Sequence, residues 1–159
     1  MVKVAVGGTF EYLHDGHKLL LKKAFELVDD GEVYIGLTSN EMARQRIHHV
    51  EDYGIREANI VAYLESLRIP DNLYCIMELT DPYGPTLIDD FDYIVVSPET
   101  YPVALKINEL RQQANRTPIE ITRVEYVLAE DDAPISSTRI ALGEIDVHGS
   151  LLNATENVE

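Results

Sequence analysis

The chain has 159 residues, 45% of them hydrophobic, which is enough for a proper core, and we expect one domain over residues 1–159. Its 13 Lys and Arg against 28 Asp and Glu give a formal charge of −15, which disfavours binding to nucleic acid or to an anionic membrane. With one cysteine, no membrane-length apolar run and no signal-peptide pattern, the protein is expected in the cytoplasm, with a frayed polar tail from about residue 153.

The first predicted element is a buried strand over residues 2–6, followed by a glycine turn and a helix. Residues 7–10 read Gly-Gly-Thr-Phe, and apolar residues recur with helical spacing over residues 19–27. The start of a helix presents unpaired N–H donors and the positive end of the helix dipole, both of which suit a phosphate group. This strand, turn and helix therefore predict a nucleotide-binding site.

His14 and His17 lie between this turn and the helix. Their spacing of three residues places both imidazoles on one face if the chain is already helical there, and imidazole can donate to phosphate oxygens. Two nearby histidines are also compatible with polar residues at a helix start or with a metal pair. Zinc is the weaker alternative because no third and fourth ligand follows at a usual spacing and Cys75 lies in an apolar run, so no metal site is predicted.

The remaining elements alternate between strand and helix patterns. Further strands are predicted at residues 32–37, 73–77, 92–96 and 119–127, and helices at 40–46, 55–68, 99–115 and 140–142. This alternation predicts an α/β fold, a single doubly wound Rossmann-like domain with a mostly parallel five-stranded sheet. Ligands of such folds bind at the carboxyl ends of the strands.

A second candidate phosphate-binding segment precedes the last helix, where Ser136, Ser137, Thr138 and Arg139 follow one another. Hydroxyl residues at a helix start can cap it and expose donors, and we expect Ser137 at the N-cap, while Arg139 adds a positive charge. Taken alone, the segment is also typical of an ordinary N-cap. A doubly wound sheet can bring this helix start and the first one to a single crevice.

The chain resembles the nucleotidyltransferases that carry Gly-Thr-Phe and His-x-Gly-His near the start and Ile-Ser-Ser-Thr near the end. These motifs are residues 8–17 and 135–138 here. Within that superfamily the chain is similar to the phosphopantetheine adenylyltransferase family of the archaeal and eukaryotic branch. The likeness extends over about residues 2–145 and includes residues 81–85 (Asp-Pro-Tyr-Gly-Pro) and 95–101 (Val-Val-Ser-Pro-Glu-Thr-Tyr), followed by Asn108 and Arg111.

The resemblance implies transfer of AMP from ATP to 4′-phosphopantetheine, which gives dephospho-CoA and pyrophosphate in coenzyme A synthesis. The acceptor's own phosphate is the nucleophile, and Mg²⁺ is carried in on the triphosphate. Catalysis is then positioning and charge stabilisation. The implied partners are ATP and 4′-phosphopantetheine.

The resemblance also implies roles for individual residues. Thr9 places the acceptor phosphate, His17 steadies the α-phosphate during in-line attack, and His14 contacts the nucleotide phosphates. Residues 136–139 hold the β- and γ-phosphates. The implied catalytic residues are His17, Thr9 and Arg46. The implied ATP- and phosphate-binding residues are Gly7, Gly8, Thr9, Phe10, His14, His17, Arg44, Ser136, Ser137, Thr138 and Arg139.

The chain departs from the family pattern at two places. Glu11 stands where the family commonly has Asp after Gly-Thr-Phe, and Arg44 and Arg46 stand in a segment where lysine is usual. Arginine keeps the charge and changes its geometry, and two solvated arginines on a short helix are the alternative. Residues expected near the acceptor are Ser97, Glu99, Thr100, Asn108 and Arg111, for which a capped helix with a polar face is the alternative.

Other functions remain compatible with the superfamily motifs. One is a cytidylyltransferase acting on a phospho-alcohol, and another is an adenylyltransferase that makes FAD from FMN; residues 81–85 and 97–100 argue against both by resemblance. A nucleotide sensor without turnover is the alternative from a different class. Both end motifs are intact, which favours an enzyme.

Overall fold

A computed structural model describes residues 1–45 and 50–152 of the chain. Its strands are β1 (Val2–Gly8), β2 (Gly31–Thr38), β3 (Tyr74–Leu79), β4 (Tyr93–Val96) and β5 (Glu120–Arg123). Its α-helices are α1 (Asp15–Glu26), α2 (Asn40–Arg44), α3 (Tyr53–Ser66), α4 (Tyr101–Gln113) and α5 (Ser137–Ala141). Two short 3₁₀ turns, Asp71–Leu73 and Gly84–Leu87, precede β3 and β4.

The five strands form one sheet in the order β3-β2-β1-β4-β5, and each pair of neighbours is parallel. The chain moves outward from β1 to β3 on one side, then returns to place β4 against the other edge of β1. The strand order therefore reverses between β1 and β4, and a crevice opens beyond their carboxyl ends. This topology confirms the predicted doubly wound α/β fold.

Both faces of the sheet are covered by helices, because alternate side chains of each buried strand point to opposite faces. Val4 and Val6 of β1 belong to the core that packs α1 and α3, through residues such as Leu21 and Ile60. Ala5 belongs to the opposite core, which packs α4. The sheet thus fixes the ends of β1 and β4 between two packed layers.

Some predicted bounds differ from the structure. The fifth strand ends at Arg123 and not at residue 127. Its last hydrogen bond to the neighbouring segment runs from the Val124 amide to the Val96 carbonyl oxygen, and beyond it the chain moves away from β4. It then forms a loop that the bridge between Leu128 and Pro134 closes. Arg46 and the tail from residue 153 lie outside the described residues. No helix of the described part of the chain has the length and hydrophobicity needed to cross a membrane.

Candidate active site

A cavity of about 810 Å³ occupies the crevice at the carboxyl ends of β1 and β4. The Gly-Gly-Thr-Phe turn and the start of α1 form one wall, and the start of α5 forms another. Most of the predicted site residues line it, namely Gly7, Gly8, Thr9, Phe10, His14, His17, Ser97, Glu99, Thr100, Ser136, Ser137, Thr138 and Arg139. The fold therefore brings together two segments that are more than a hundred residues apart in the sequence.

The turn after β1 has an unusual backbone. Phe10 and Tyr12 have φ angles of 52° and 56°, a region that bulky residues rarely adopt and that stores local strain. Neighbouring segments hold it in place: the Glu51 amide donates to the Glu11 carboxylate at 3.0 Å, and the Tyr12 amide donates to Glu51 Oε1 at 3.0 Å. Such over-determined strain is typical of functional sites.

Glu11, the residue that departs from the family pattern, lies under this turn. Its side chain is only 1% exposed and accepts hydrogen bonds from the Glu51 amide through both oxygens. Burial raises the pKa of the Glu11 carboxyl, and the bond from the Glu51 amide offsets part of that rise. The carboxylate therefore contributes to the shape of the turn.

The two histidines form the start of α1 together. His14 is the N-cap, and its Nδ1 accepts from the amides of Gly16 at 3.0 Å and His17 at 3.3 Å. In return, His17 Nδ1 accepts from the His14 amide at 3.2 Å, which completes a capping box made of imidazoles. The rings stack with centroids 3.7 Å apart, so both do lie on one face, as predicted.

This geometry fixes the protonation state of both rings. Each Nδ1 accepts a main-chain N–H, so a neutral ring carries its proton on Nε2. Burial lowers the pKa of His14 to about 4, and burial together with the nearby His14 ring lowers the pKa of His17 well below 6.5. Near neutral pH each ring therefore has one N–H, on Nε2, left to donate. Within the described residues, no group of three or more His, Cys, Asp or Glu is arranged to hold a metal ion.

Gly16, between the histidines, has a steric reason to be glycine. A Cβ at this position would lie 2.9 Å from His14 Cε1 and 3.0 Å from His14 Nδ1. These distances are shorter than ordinary van der Waals contact. The His-x-Gly-His pattern thus allows the first imidazole to fold back over the helix start.

The last helix start differs from the prediction in one residue. Ser136, not Ser137, is the N-cap of α5, since its hydroxyl accepts from the Arg139 amide at 3.2 Å. The Ser137 hydroxyl instead donates to the Glu11 carbonyl oxygen at 2.8 Å. Predicting Ser137 at the cap was wrong because the helix begins at Ser137 itself, one residue earlier than a cap there requires. The bond to Glu11 ties α5 to the strained turn.

Arg139 lines the cavity and is already paired with carboxylates. Its guanidinium bonds to Asp131, to Glu144 Oε1 at 3.0 Å and to the Pro134 carbonyl oxygen at 3.3 Å. The hydrogen bond to Asp131, followed by the one to Glu144, raises the pKa of Arg139. These bonds use four of the five N–H groups, which leaves one on Nη2 for a ligand.

Three predicted residues are not brought to the cavity. The described residues that line the cavity do not include Arg44, Asn108 or Arg111. Arg44 is exposed on α2. Asn108 exchanges two 2.8 Å hydrogen bonds with the main chain of Ile119. Arg111 is 1% exposed and donates to three carbonyl oxygens and to Asp90. For Asn108 and Arg111 the geometry corresponds to a structural role, in which α4 is bonded to the loops beside it.

Arg56 is a residue that sequence reasoning did not place in the site. Its side chain is fully buried, and it bonds to the carbonyl oxygens of Thr9 and Thr38 at the cavity wall. A signal was present in the sequence: Arg56, Ile60 and Leu64 recur every four residues, so the arginine lies on the apolar face of α3. A charged residue on such a face points to a buried polar network.

Comparisons with known proteins identify the family of this chain. A sequence model described as cytidylyltransferase-like matches residues 5–142. A phosphopantetheine adenylyltransferase of Methanosarcina acetivorans is 60% identical over 151 residues, 95% of this chain and 96% of the relative. Another, from Archaeoglobus fulgidus, is 48% identical over 95% of this chain and 100% of the relative.

Solved structures give the same fold. A crystal structure of a protein with unknown function from Archaeoglobus fulgidus is 47% identical with a TM-score of 0.70, and the match covers 77% of this chain and 89% of that one. A tyrosyl-tRNA synthetase from the same organism has a TM-score of 0.65 at 12% identity, over 87% of this chain and 59% of that one. At so low an identity the likeness shows the fold alone.

Proposed function

This chain belongs to the phosphopantetheine adenylyltransferases of the cytidylyltransferase-like family. We propose that it transfers AMP from ATP to 4′-phosphopantetheine and that both substrates bind in the cavity. The products are dephospho-CoA and pyrophosphate, and the reaction belongs to coenzyme A synthesis. Near full-length similarity to relatives of that name supports the substrates. The observation that carries the chemistry is the stacked histidine pair at the start of α1, which faces the cavity with neutral donors.

The proposed reaction is one in-line displacement. An oxygen of the acceptor phosphate attacks the α-phosphorus of ATP, a new P–O bond forms, and the bond from the α-phosphorus to the bridging oxygen breaks as pyrophosphate leaves. The nucleophile is already an anion, so no proton has to be removed from it. The protein's work is to align two phosphates and to stabilise the negative charge on the oxygens of the α-phosphate.

The proposed donors are three cavity-lining residues with the roles that the family resemblance implies. His17 donates a hydrogen bond from Nε2–H to an oxygen of the α-phosphate in the transition state, and His14 donates one from its Nε2–H to the nucleotide phosphates. Thr9 donates a hydrogen bond from its hydroxyl to the acceptor phosphate. The N-terminus of α1, a helix of 12 residues, adds a positive potential beneath all three groups.

The triphosphate end of the nucleotide is proposed to lie at α5. We propose that Ser136, Thr138 and the remaining N–H of Arg139, all of which line the cavity, contact the β- and γ-phosphates. ATP enters as its Mg²⁺ complex, in which the phosphate oxygens hold the ion and the ion offsets their charge. Arg46 remains a proposed catalytic cation outside the described residues.

The proposed setting is the cytoplasm, with small molecules as the only substrates. The charge of −15 supports small molecules as the substrates, because it opposes contact with nucleic acid and with anionic lipid over most of the surface.

Pyrophosphate release tests the function directly. We expect Mg²⁺-dependent release with ATP and 4′-phosphopantetheine, with dephospho-CoA identified by mass, and little release with CTP or with FMN as acceptor. Comparable turnover with CTP and a phospho-alcohol would contradict the proposal and indicate a cytidylyltransferase. Binding of ATP without turnover on any acceptor would indicate a nucleotide sensor.

A further inference from the structure

A buried guanidinium lies directly behind the cavity wall. Arg56 Nη1 donates to the carbonyl oxygens of Thr9 at 3.1 Å and Thr38 at 2.9 Å, and to Thr38 Oγ1 at 3.2 Å. The other nitrogens bond to the Glu51 carbonyl oxygen at 2.7 Å and to Asn40 Oδ1 at 2.9 Å. Arg56 therefore joins the ends of β1 and β2 to the loop before α3.

The hydroxyl of Thr38 connects this guanidinium to the cavity. Arginine has only donors, so Thr38 Oγ1 must be the acceptor in its contact with Arg56. The single proton of that hydroxyl is directed to Thr9 Oγ1, 3.1 Å away. Thr38 is 7% exposed, so water competes little for either bond.

The direction of these bonds determines what Thr9 can do. Its hydroxyl already accepts a hydrogen bond from Thr38, and it keeps its own proton for another partner. Thr9 lines the cavity, so that partner is a group bound there. A hydroxyl held in this way is oriented as a donor before any ligand arrives.

We propose that Arg56 and Thr38 form a relay that orients the Thr9 hydroxyl as a hydrogen-bond donor to the acceptor phosphate. This inference rests on the proposed function. Arg56 and Thr38 are positioning residues, because they act through Thr9 and through the main chain of the strained turn. A donor that is oriented beforehand needs no reorganisation as the transition state forms.

Thr38→Val tests the relay, since valine keeps the branched shape and removes the hydroxyl. With ATP saturating and the acceptor varied, we expect kcat/KM for 4′-phosphopantetheine to fall by about 2- to 12-fold, the scale of one hydrogen bond between neutral groups. ATP affinity, measured by calorimetry, should stay near the parent value. Thr38→Ser, which restores the hydroxyl, should recover most of the loss.

A double variant shows whether Thr38 acts through Thr9. Thr9→Val alone removes the final donor, so the Thr9→Val/Thr38→Val protein should be no less active than Thr9→Val. Thr122→Val on β5 is the matched control for a threonine-to-valine change in the sheet, and it should leave kcat/KM unchanged. Melting temperatures of all variants report whether the fold is intact.

If the parent protein is active, any of three outcomes would overturn the relay. Thr38→Val could keep the parent kcat/KM, or Thr38→Val and Thr38→Ser could lose kcat/KM equally. The third is a double variant whose loss in kcat/KM equals the product of the losses in Thr9→Val and Thr38→Val. A parent protein that makes no dephospho-CoA contradicts the proposed function instead, so the two failures are distinguishable.

Discussion

In the proposed reaction the attacking phosphate is already an anion, so His17 is not needed as a general base. Its pKa is held well below 6.5, mainly by burial, and its Nδ1 is occupied by the His14 amide. The ring is therefore a neutral donor through Nε2 over the physiological pH range. Its contribution to rate has to come from stabilising charge in the transition state.

Substitutions of His17 distinguish a hydrogen-bond donor from a general base. We expect His17→Ala to lower kcat by roughly 10²- to 10³-fold, the loss typical of one transition-state donor, with a smaller effect on ATP binding. His17→Asn should recover part of the rate, because the amide can accept from the His14 N–H and still donate. His148→Ala, which removes an exposed imidazole outside the cavity wall, is the control. Full activity in His17→Ala, or a loss explained by unfolding, would remove His17 from the mechanism.

Gly16 provides a second test at the scale of single residues. Glycine-to-alanine changes in a helix usually stabilise by about 0.5–1 kcal/mol, but a Cβ at Gly16 would lie 2.9 Å from the His14 ring. We expect Gly16→Ala to lower both the melting temperature and kcat, since the imidazole must move. Gly54 holds the same position in α3, with 3.3 Å to Asp52 Oδ2, so Gly54→Ala should be tolerated. Equal melting temperatures for the two variants would show that the His14 ring adapts freely.

At the scale of elements, α1 is unusual in having a histidine as its N-cap. Neutral His14 accepts two amides through Nδ1, whereas a protonated ring has no acceptor and cannot cap. Its pKa is about 4 in the folded state and about 6.5 when solvated, so the unfolded chain takes up the proton first. The stabilisation is therefore complete above pH 6.5 and is lost as the pH falls toward 4.

The pH dependence of unfolding tests this cap. The pKa difference corresponds to on the order of 3 kcal/mol of unfolding free energy, lost between pH 6.5 and 4. Urea unfolding at several pH values measures it. His14→Asn retains a capping acceptor that does not titrate, so its curve should be flatter than that of the parent over this interval. Parallel curves for the two proteins would contradict the assignment.

The elements that depend on local pattern could be predicted from the sequence. The strand, glycine turn and helix around residues 2–27 follow from apolar spacing and two glycines that adjoin one another. Arg56 could not be placed, because its partners Thr9 and Thr38 lie 47 and 18 residues away and only the folded sheet brings them together. Ser136 and Ser137 exchanged roles for a related reason, since a shift of one residue decides which hydroxyl caps α5.

At the scale of the whole molecule, the net charge of −15 destabilises the compact folded state. Carboxylates repel one another across the surface, and salt shortens the range of that repulsion from about 10 Å at 0.1 M to about 3 Å at 1 M. The value of −15 already counts all 13 Lys and Arg, of which Arg56 and Arg111 are buried and Arg139 is paired with carboxylates.

Stability should therefore rise with salt. We expect the melting temperature to increase as KCl is raised from about 0.05 to 1 M, since screening removes repulsion from the folded state more than from the expanded chain. Asp29→Asn/Asp30→Asn removes two adjacent exposed carboxylates, so its melting temperature should start higher and respond less. A melting temperature independent of salt in the parent would show that the charges are already too far apart to interact.

The hydrogen bond from Ser137 to Glu11 joins residues 126 positions apart, and the partners in the β1–β4 pair, such as Val4 and Tyr93, are 89 positions apart. A ribosome releases the N-terminal part of a chain first, so β1, β2 and β3 can pair while β4 is still being synthesised. Until then one edge of β1, the central strand of the sheet, has no partner, and an unpaired edge is a template for aggregation. We expect the nascent chain to need protection at that stage, and the ability to bind phosphate to arise in the last step of folding.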